Sequence, residues 1–284
     1  GQQPPIALPQ VPGTRGPVGV DMRGLNQSGF CSYDPGFANT AGCQSAISWI
    51  DTENSVLLHR GYPVDQLARQ CDFLEVAYIM LNGDAPDEAC YQTFRETITR
   101  HTLVHEQIAR MCSGFRRDSH PMALMCALVG ALAAFYHDVL DVENPQHRAL
   151  AATRLLSKMP TIAAMSYKYT IEQPAAYPRN DLSYAGNFLQ MLFAIPAEKY
   201  VLNPVIEQAM NQILVLHADH GQCASTTTVR AAGSSGANLF ACVAAGLASL
   251  WGPMHGGANE SSMRMLEEIA PSMVGMLVAS KALV

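Results

Sequence analysis

Between Pro121 and Tyr136 the chain reads PMALMCALVGALAAFY, sixteen residues without one charged or strongly polar side chain. A run this apolar must leave water, either into a bilayer or into a protein core. A membrane-spanning helix needs roughly 18–20 apolar residues. This run is shorter, and His120, His137 and Asp138 bracket it. It therefore predicts a helix that is apolar all round and packed at the centre of a core. The rest of the chain has to supply the elements that cover it.

From Pro63 onward the apolar residues recur at helical spacing almost throughout, which makes the fold class mainly α. Val64–Leu81 predicts one or two short helices closed by Asn82-Gly83. Pro86–Phe115 carries Cys90, Phe94, Ile98, Leu103, Ile108 and Met111 at roughly helical intervals. His147–Gln173 predicts a helix bent or broken at Pro160, and Leu182–Phe193 another. Asn203-Pro204 reads as a cap and first position for a helix running to about His220. Thr226–Gly233, Asn238–Trp251 and Asn259–Ile269 follow. β-structure is expected only near the N-terminus, as a hairpin in which Ile47–Ile50 and Val56–Leu58 flank Asp51–Asn54. The predicted organisation is a flexible Pro/Gly/Gln-rich lead (1–17), a β-rich segment (18–62), a large helical domain (63–269) and a C-terminal helix (270–284), with no signal peptide.

With 49% hydrophobic and 15% charged residues, the 284-residue chain can bury a sizeable core. A net charge of −6 argues against general nucleic-acid binding but not against an anionic substrate, because a local site can be basic. Eight cysteines are scattered without a C-x-x-C pair, which points to a reducing, cytoplasmic setting.

Chemistry concentrates in Leu216–Glu260. Three histidines, His217, His220 and His255, stand at the two ends of an apolar segment. Two small-residue loops, Ala224–Thr228 and Gly256–Ala258, flank that segment. His217 and His220, three apart at the end of a helical pattern, are expected to share a face. They could hold a metal, but zinc usually takes three or four protein ligands at characteristic spacing, and the expected metal content is none. They could equally bond the last carbonyls of a helix. His255 follows Pro253, where a helix must stop. Gly256 and Gly257 would let a ligand approach the backbone closely. Neutral imidazoles at helix ends suit the polarisation of a carbonyl. Arg116-Arg117-Asp118 reads as a solvated loop with local ion pairs, and Ser234-Ser235-Gly236 as a helix-to-helix turn.

In order, HADH (217–220), AST (224–226), GSSGAN (233–238) and GPMHGGANE (252–260) resemble citrate synthase in its larger Gram-negative bacterial form. DPGF (34–37), LLHRGYP (57–63), VHEQ (104–107), FRRDSHPMA (115–123), ALAAFYHD (131–138), RLLSKMPT (154–161) and YPRNDLSYAGNF (177–188) extend the likeness over residues 17–268. The resemblance implies condensation of acetyl-CoA with oxaloacetate to citrate and CoA, a step of the tricarboxylic acid cycle, with no tightly bound cofactor. It implies a catalytic His255 on the thioester carbonyl and an oxaloacetate contact at His220 supported by His217. Cys223 would also line the substrate site, and Gly256, Gly257, Ala258 and Asn259 would lie near the CoA arm. Arg100, His101, Tyr136, Arg154 and Lys158 match positions of an allosteric NADH pocket, whose associated cysteine and methionine are here Ala197 and Leu103. A homodimer or homohexamer is expected, built through the apolar helices Pro121–Tyr136 and Leu239–Trp251.

The sequence departs from the family in three places. Gly221 and Cys223 stand where the usual motif has glutamate and asparagine. A thiol is a poor replacement for an amide donor, and one lost hydrogen bond to a buried acceptor costs about 1–3 kcal/mol. Beyond about Ile269 the motifs of the family's smaller domain, with its second histidine, aspartate base and arginines, are not matched. PSMVGMLVASKALV (271–284) resembles a helix that follows that domain. Two alternatives follow: an alkylcitrate-type synthase using another acyl-CoA or keto acid, or a catalytically incomplete paralogue that binds ligand or partner subunits.

Overall fold

The computed structural model describes residues 5–281, with side chains described as far as residue 270. It divides into two compact units, Gly1–Val64 and Asp65–Val284.

The first unit is built from short strands. β3 (Ser48–Asp51) and β4 (Val56–His59) form the expected hairpin, with Asp51 opposite Val56. The Asp51 carboxylate accepts the backbone N–H groups of Glu53 and Asn54 and so closes the turn. β5 (Tyr62–Pro63) joins the same sheet. The lead was expected to be flexible, yet it holds β1 (Gln10–Val11), paired antiparallel with β2 (Gly19–Val20). A two-residue ladder rests on backbone bonds and is too short to leave a side-chain period.

The second unit is all helix. Around the apolar run stands α5 (Pro121–Phe135), started by His120, whose ring Nδ1 accepts the Met122 N–H. α5 packs against α10 (Leu239–Leu250), α6 (Pro145–Thr170) and α4 (Glu106–Met111), and α9 (Ala224–Gly233) packs on α10. Leu124, Leu128, Val129 and Leu132 of α5 are buried with Leu155 and Ile162 of α6 and Phe240 and Leu247 of α10. Farther out, α7 (Tyr184–Phe193) bridges α6 and α8 (Pro204–Leu216), while α2 (Phe73–Asn82) meets α8 and α3 (Glu88–Arg100). α1 (Val64–Gln70) precedes α2, which Gly83 closes in the left-handed region at φ 98°.

Two differences from the periodicity have side-chain causes. α6 runs unbroken through Pro160. Proline has no N–H for the carbonyl of Leu156, and the Tyr184 hydroxyl of α7 donates to that oxygen at 2.8 Å. Conversely, the helical pattern of Pro86–Phe115 is broken between α3 and α4. The carbonyls freed at His101 and Leu103 accept from the buried Lys158 ammonium at 2.5 and 2.7 Å, and that of Thr102 accepts from the Thr161 hydroxyl. A partner 55 residues or more away in sequence is invisible to a local pattern.

α5 and α10, the helices expected to build an oligomer, cover one another within the chain. Exposed apolar side chains stand on α8 instead, at Val205, Ile206, Ile213 and Leu216. α11 (Gly257–Lys281) crosses the boundary expected near Ile269 as one helix; residues 282–284 of the expected terminal helix lie outside the described residues. No described helix is long and apolar enough to cross a membrane.

Candidate active site

α8 stops four residues short of the expected end, at Leu216. His217 is its cap: the ring Nδ1 bonds the Ile213 carbonyl oxygen at 2.7 Å, and the backbone N–H donates to the same oxygen at 3.0 Å. This is the helix-terminal role weighed for it. His220 lies beyond the helix, in a turn where the Asp219 carboxylate accepts the Gly221 N–H and Gly221 takes φ 66°. His217 and His220 therefore do not share a helix face, because side-chain bonds to freed backbone groups ended the helix between them.

After that turn the chain enters α9 with Cys223 as its N-terminal cap. Ala224–Thr228, expected as a loop, is the first part of this helix, where Thr228 Oγ1 donates to the Ala224 carbonyl. α9 lies close against α10 at Gly246. A Cβ there would meet Val229 Cγ2 at 2.5 Å and the Ser225 carbonyl oxygen at 3.5 Å. Gly246→Ala is accordingly expected to force the helices apart at a cost of about 1–3 kcal/mol, read as a lowered urea midpoint with the slope unchanged.

α10 ends at Leu250 with Trp251 as its C-cap, and the chain folds back on itself. His255 N–H donates to the Gly252 carbonyl at 3.0 Å, Gly256 N–H to Leu250 at 2.8 Å and Gly257 N–H to Gly252 at 3.1 Å. A Cβ on Gly256 would overlap the Leu250 carbonyl oxygen. The glycines expected to admit a ligand are thus first required by the tightness of this turn. Ala258 and Asn259 follow in the first turn of α11, exposed.

The fold-back carries the half-buried His255 onto α9, where its Nε2 lies 2.9 Å from Ser225 Oγ. Ser225 Oγ is in turn 3.2 Å from Cys223 Sγ, which lies 3.2 Å from Thr226 Oγ1. Burial disfavours the Cys223 thiolate, but the hydroxyls and backbone N–H groups of Ser225 and Thr226 outweigh it and hold this thiol below its ordinary pKa. With Nε2 engaged by Ser225, Nδ1 has no hydrogen-bond partner among the described residues. An imidazole held this way can donate to a carbonyl oxygen and stabilise negative charge that grows there.

The family model for the citrate synthase C-terminal domain matches residues 36–282. The chain belongs to the citrate synthase family. Among solved structures, citrate synthase from Pyrobaculum aerophilum is 31% identical, with a TM-score of 0.76 over 83% of this chain and 59% of that one. Citrate synthase from Thermotoga maritima is 27% identical at a TM-score of 0.70, covering 82% of this chain and 60% of its own. A ternary complex of carboxymethyl coenzyme A and oxaloacetate with citrate synthase from Thermoplasma acidophilum is 27% identical, with a TM-score of 0.77 over 84% and 61%. The chain spans about 60% of the length of these citrate synthases.

Ser225 is the residue that reading the sequence missed. It stands inside the AST motif, but only the fold-back of His255 shows what its hydroxyl faces. His120 was missed too: its ring stacks on Trp251 at 5.2 Å and its Nε2 is 3.6 Å from Glu260, which also pairs with Arg264 at 2.5 Å.

The second group of candidate residues is partly assembled. Arg154 lies over the Tyr136 ring at 4.4 Å and Lys158 at 5.3 Å, and Lys158 reaches the His101 carbonyl. Arg154 also forms two bonds to Asp138 at 3.0 and 3.1 Å. Arg100 pairs with Glu96 on its own helix at 3.2 Å, and both border an open cavity of about 270 Å³ with Gln92, Thr93, Thr97 and His101. Arg116 pairs with Asp118 at 2.6 Å, the local ion pair expected of that loop.

Proposed function

We propose that this chain condenses acetyl-CoA with oxaloacetate to give citrate and CoA. The observation that carries the reading is the His255 ring, fixed through Nε2 by Ser225 so that Nδ1 is left for a substrate carbonyl. His255 donates from Nδ1 to the thioester oxygen. As a carboxylate base takes the methyl proton, that oxygen gains the charge of an enolate, and the hydrogen bond strengthens. The nucleophilic carbon attacks the oxaloacetate ketone, whose bed includes His220, and the alkoxide that forms takes up a proton to become the hydroxyl of the citryl thioester. Hydrolysis of the citryl thioester releases CoA. Gly256, Gly257, Ala258 and Asn259 lie beside His255 and form the approach for the CoA arm.

Cys223 favours a second reading. A thiol in place of an amide donor changes what the substrate bed offers, as an alkylcitrate-type synthase with another acyl-CoA or keto acid would require. Thiol release separates the two. Oxaloacetate-dependent release faster with acetyl-CoA than with propionyl-CoA is expected, and the reverse order would establish the second reading. Release with neither, alongside retained oxaloacetate binding, would mark an incomplete paralogue.

For regulation, we infer that the Tyr136, Arg154 and Lys158 cluster, with Arg100 and His101 beside it, receives the pyrophosphate of NADH, as in the Gram-negative form of the family. Arg154 supplies a planar fork of donors suited to phosphate. Burial, together with the charge of Arg154, lowers Lys158 to about 8. Lys158 is therefore cationic below that pH and neutral above it. NADH affinity, measured by fluorescence titration, is expected to fall as pH rises through about 8, by roughly tenfold for the loss of one charge-assisted hydrogen bond. An affinity that is flat or rising across this range would contradict the assignment. The exposed apolar residues of α8 support a homo-oligomer.

A further inference from the structure

The side chains of Thr226, Cys223, Ser225 and His255 form one hydrogen-bonded row, with spacings of 3.2, 3.2 and 2.9 Å. Each hydroxyl has one proton, the thiol has one, and a neutral imidazole has one, so the direction of every bond constrains the next. For His255 to donate from Nδ1, its Nε2 must accept. Ser225 must then give its proton to Nε2, and Ser225 Oγ is left to accept. The neighbour in place to donate is Cys223 S–H, with Thr226 O–H donating to sulfur in turn. If sulfur loses its proton it can only accept. Ser225 O–H then turns to the thiolate, Ser225 Oγ accepts from Nε2–H, and Nδ1 is left bare.

We propose that Cys223 is a positioning residue for His255: through the Ser225 hydroxyl, its S–H proton favours the imidazole tautomer that donates from Nδ1, and loss of that proton disfavours it by drawing the Ser225 O–H to the thiolate. The ionisation that throws this switch is eased where Cys223 sits, at the N-cap position of α9, because the hydroxyls and backbone N–H groups of Ser225 and Thr226 favour its thiolate. Few other titratable groups surround the row. α10, packed on α9, offers only Cys242, which burial holds protonated. On α9 itself Arg230 bonds Gln222 at 3.1 Å. In the flanking turns, His217 binds the Ile213 carbonyl and Asp219 binds the Gly221 N–H, with His220 directly after Asp219. Glu260, early in α11, is held by Arg264 and His120. No charged side chain contributes to the shift of Cys223.

The role proposed for the Nδ1 donor in catalysis rests on the synthase reading, so the test is made on the free chain. Nitrogen-15 NMR of labelled histidine distinguishes an N–H from a bare ring nitrogen at His255. The Cys223 thiolate is followed by its ultraviolet absorbance in difference against Cys223→Ser. As pH is raised, the His255 Nδ1–H signal is expected to disappear in step with thiol ionisation. It is expected to persist in Cys223→Ser, whose hydroxyl stays protonated, and to become independent of the thiol in Ser225→Ala, where the row is cut. A signal unchanged through thiol ionisation, or lost at the same pH in Cys223→Ser, would overturn the proposal. A tautomer switch as described in a chain that releases no CoA would uphold the relay and remove the synthase reading instead.

Discussion

Replacing His255 with alanine is expected to lower thiol release from acetyl-CoA by about 10²–10³-fold, the usual effect of removing one donor to a developing oxyanion. The loss should appear mainly in kcat, because the hydrogen bond strengthens as the carbonyl becomes an enolate. Folding should be little changed. The imidazole is only half-buried, and its side-chain bond is to Ser225, at the solvent-accessible start of α9. Steady-state rates with saturating oxaloacetate, alongside a urea denaturation curve, separate the two effects. A variant that keeps its rate would move the carbonyl donor to another residue.

Phe240→Ala is expected to destabilise the helical unit by about 3–5 kcal/mol, the range for truncating a fully buried aromatic. The side chain is 0% exposed and sits between α10 and α5, with its ring centroid 6.0 Å from that of Tyr136. Since whole domains are stable by only about 5–15 kcal/mol, the urea midpoint should fall steeply. The same cavity removes one support of Tyr136, over which Arg154 and Lys158 lie. NADH affinity should therefore drop together with stability, which a purely local core defect would not produce.

The fold class was legible because burial writes a period into the sequence. The apolar run of α5 and the caps Asn203-Pro204 and Asn82-Gly83 mark helices through their own local chemistry. Boundaries decided by distant partners were not legible. Nothing near Pro160 announces that Tyr184 will take the freed carbonyl, and nothing near His101 announces Lys158. The candidate site divides in the same way. The motif around His255 singled it out as a candidate, while its orientation depends on a fold-back that sets it against Ser225, thirty positions earlier. The expected pairing of His217 with His220 failed for the opposite reason, since a histidine that caps a helix removes the periodicity used to place its neighbour.

The central claim is that His255, held at Nε2 by Ser225, polarises a thioester carbonyl. Infrared difference spectroscopy of acetyl-CoA labelled with carbon-13 at the carbonyl, bound to the chain without oxaloacetate, tests this most directly. The account predicts a carbonyl band at lower frequency than in water for the wild-type chain, returning to the aqueous position in His255→Ala. A bound thioester whose band matches the aqueous one in the wild type would contradict it.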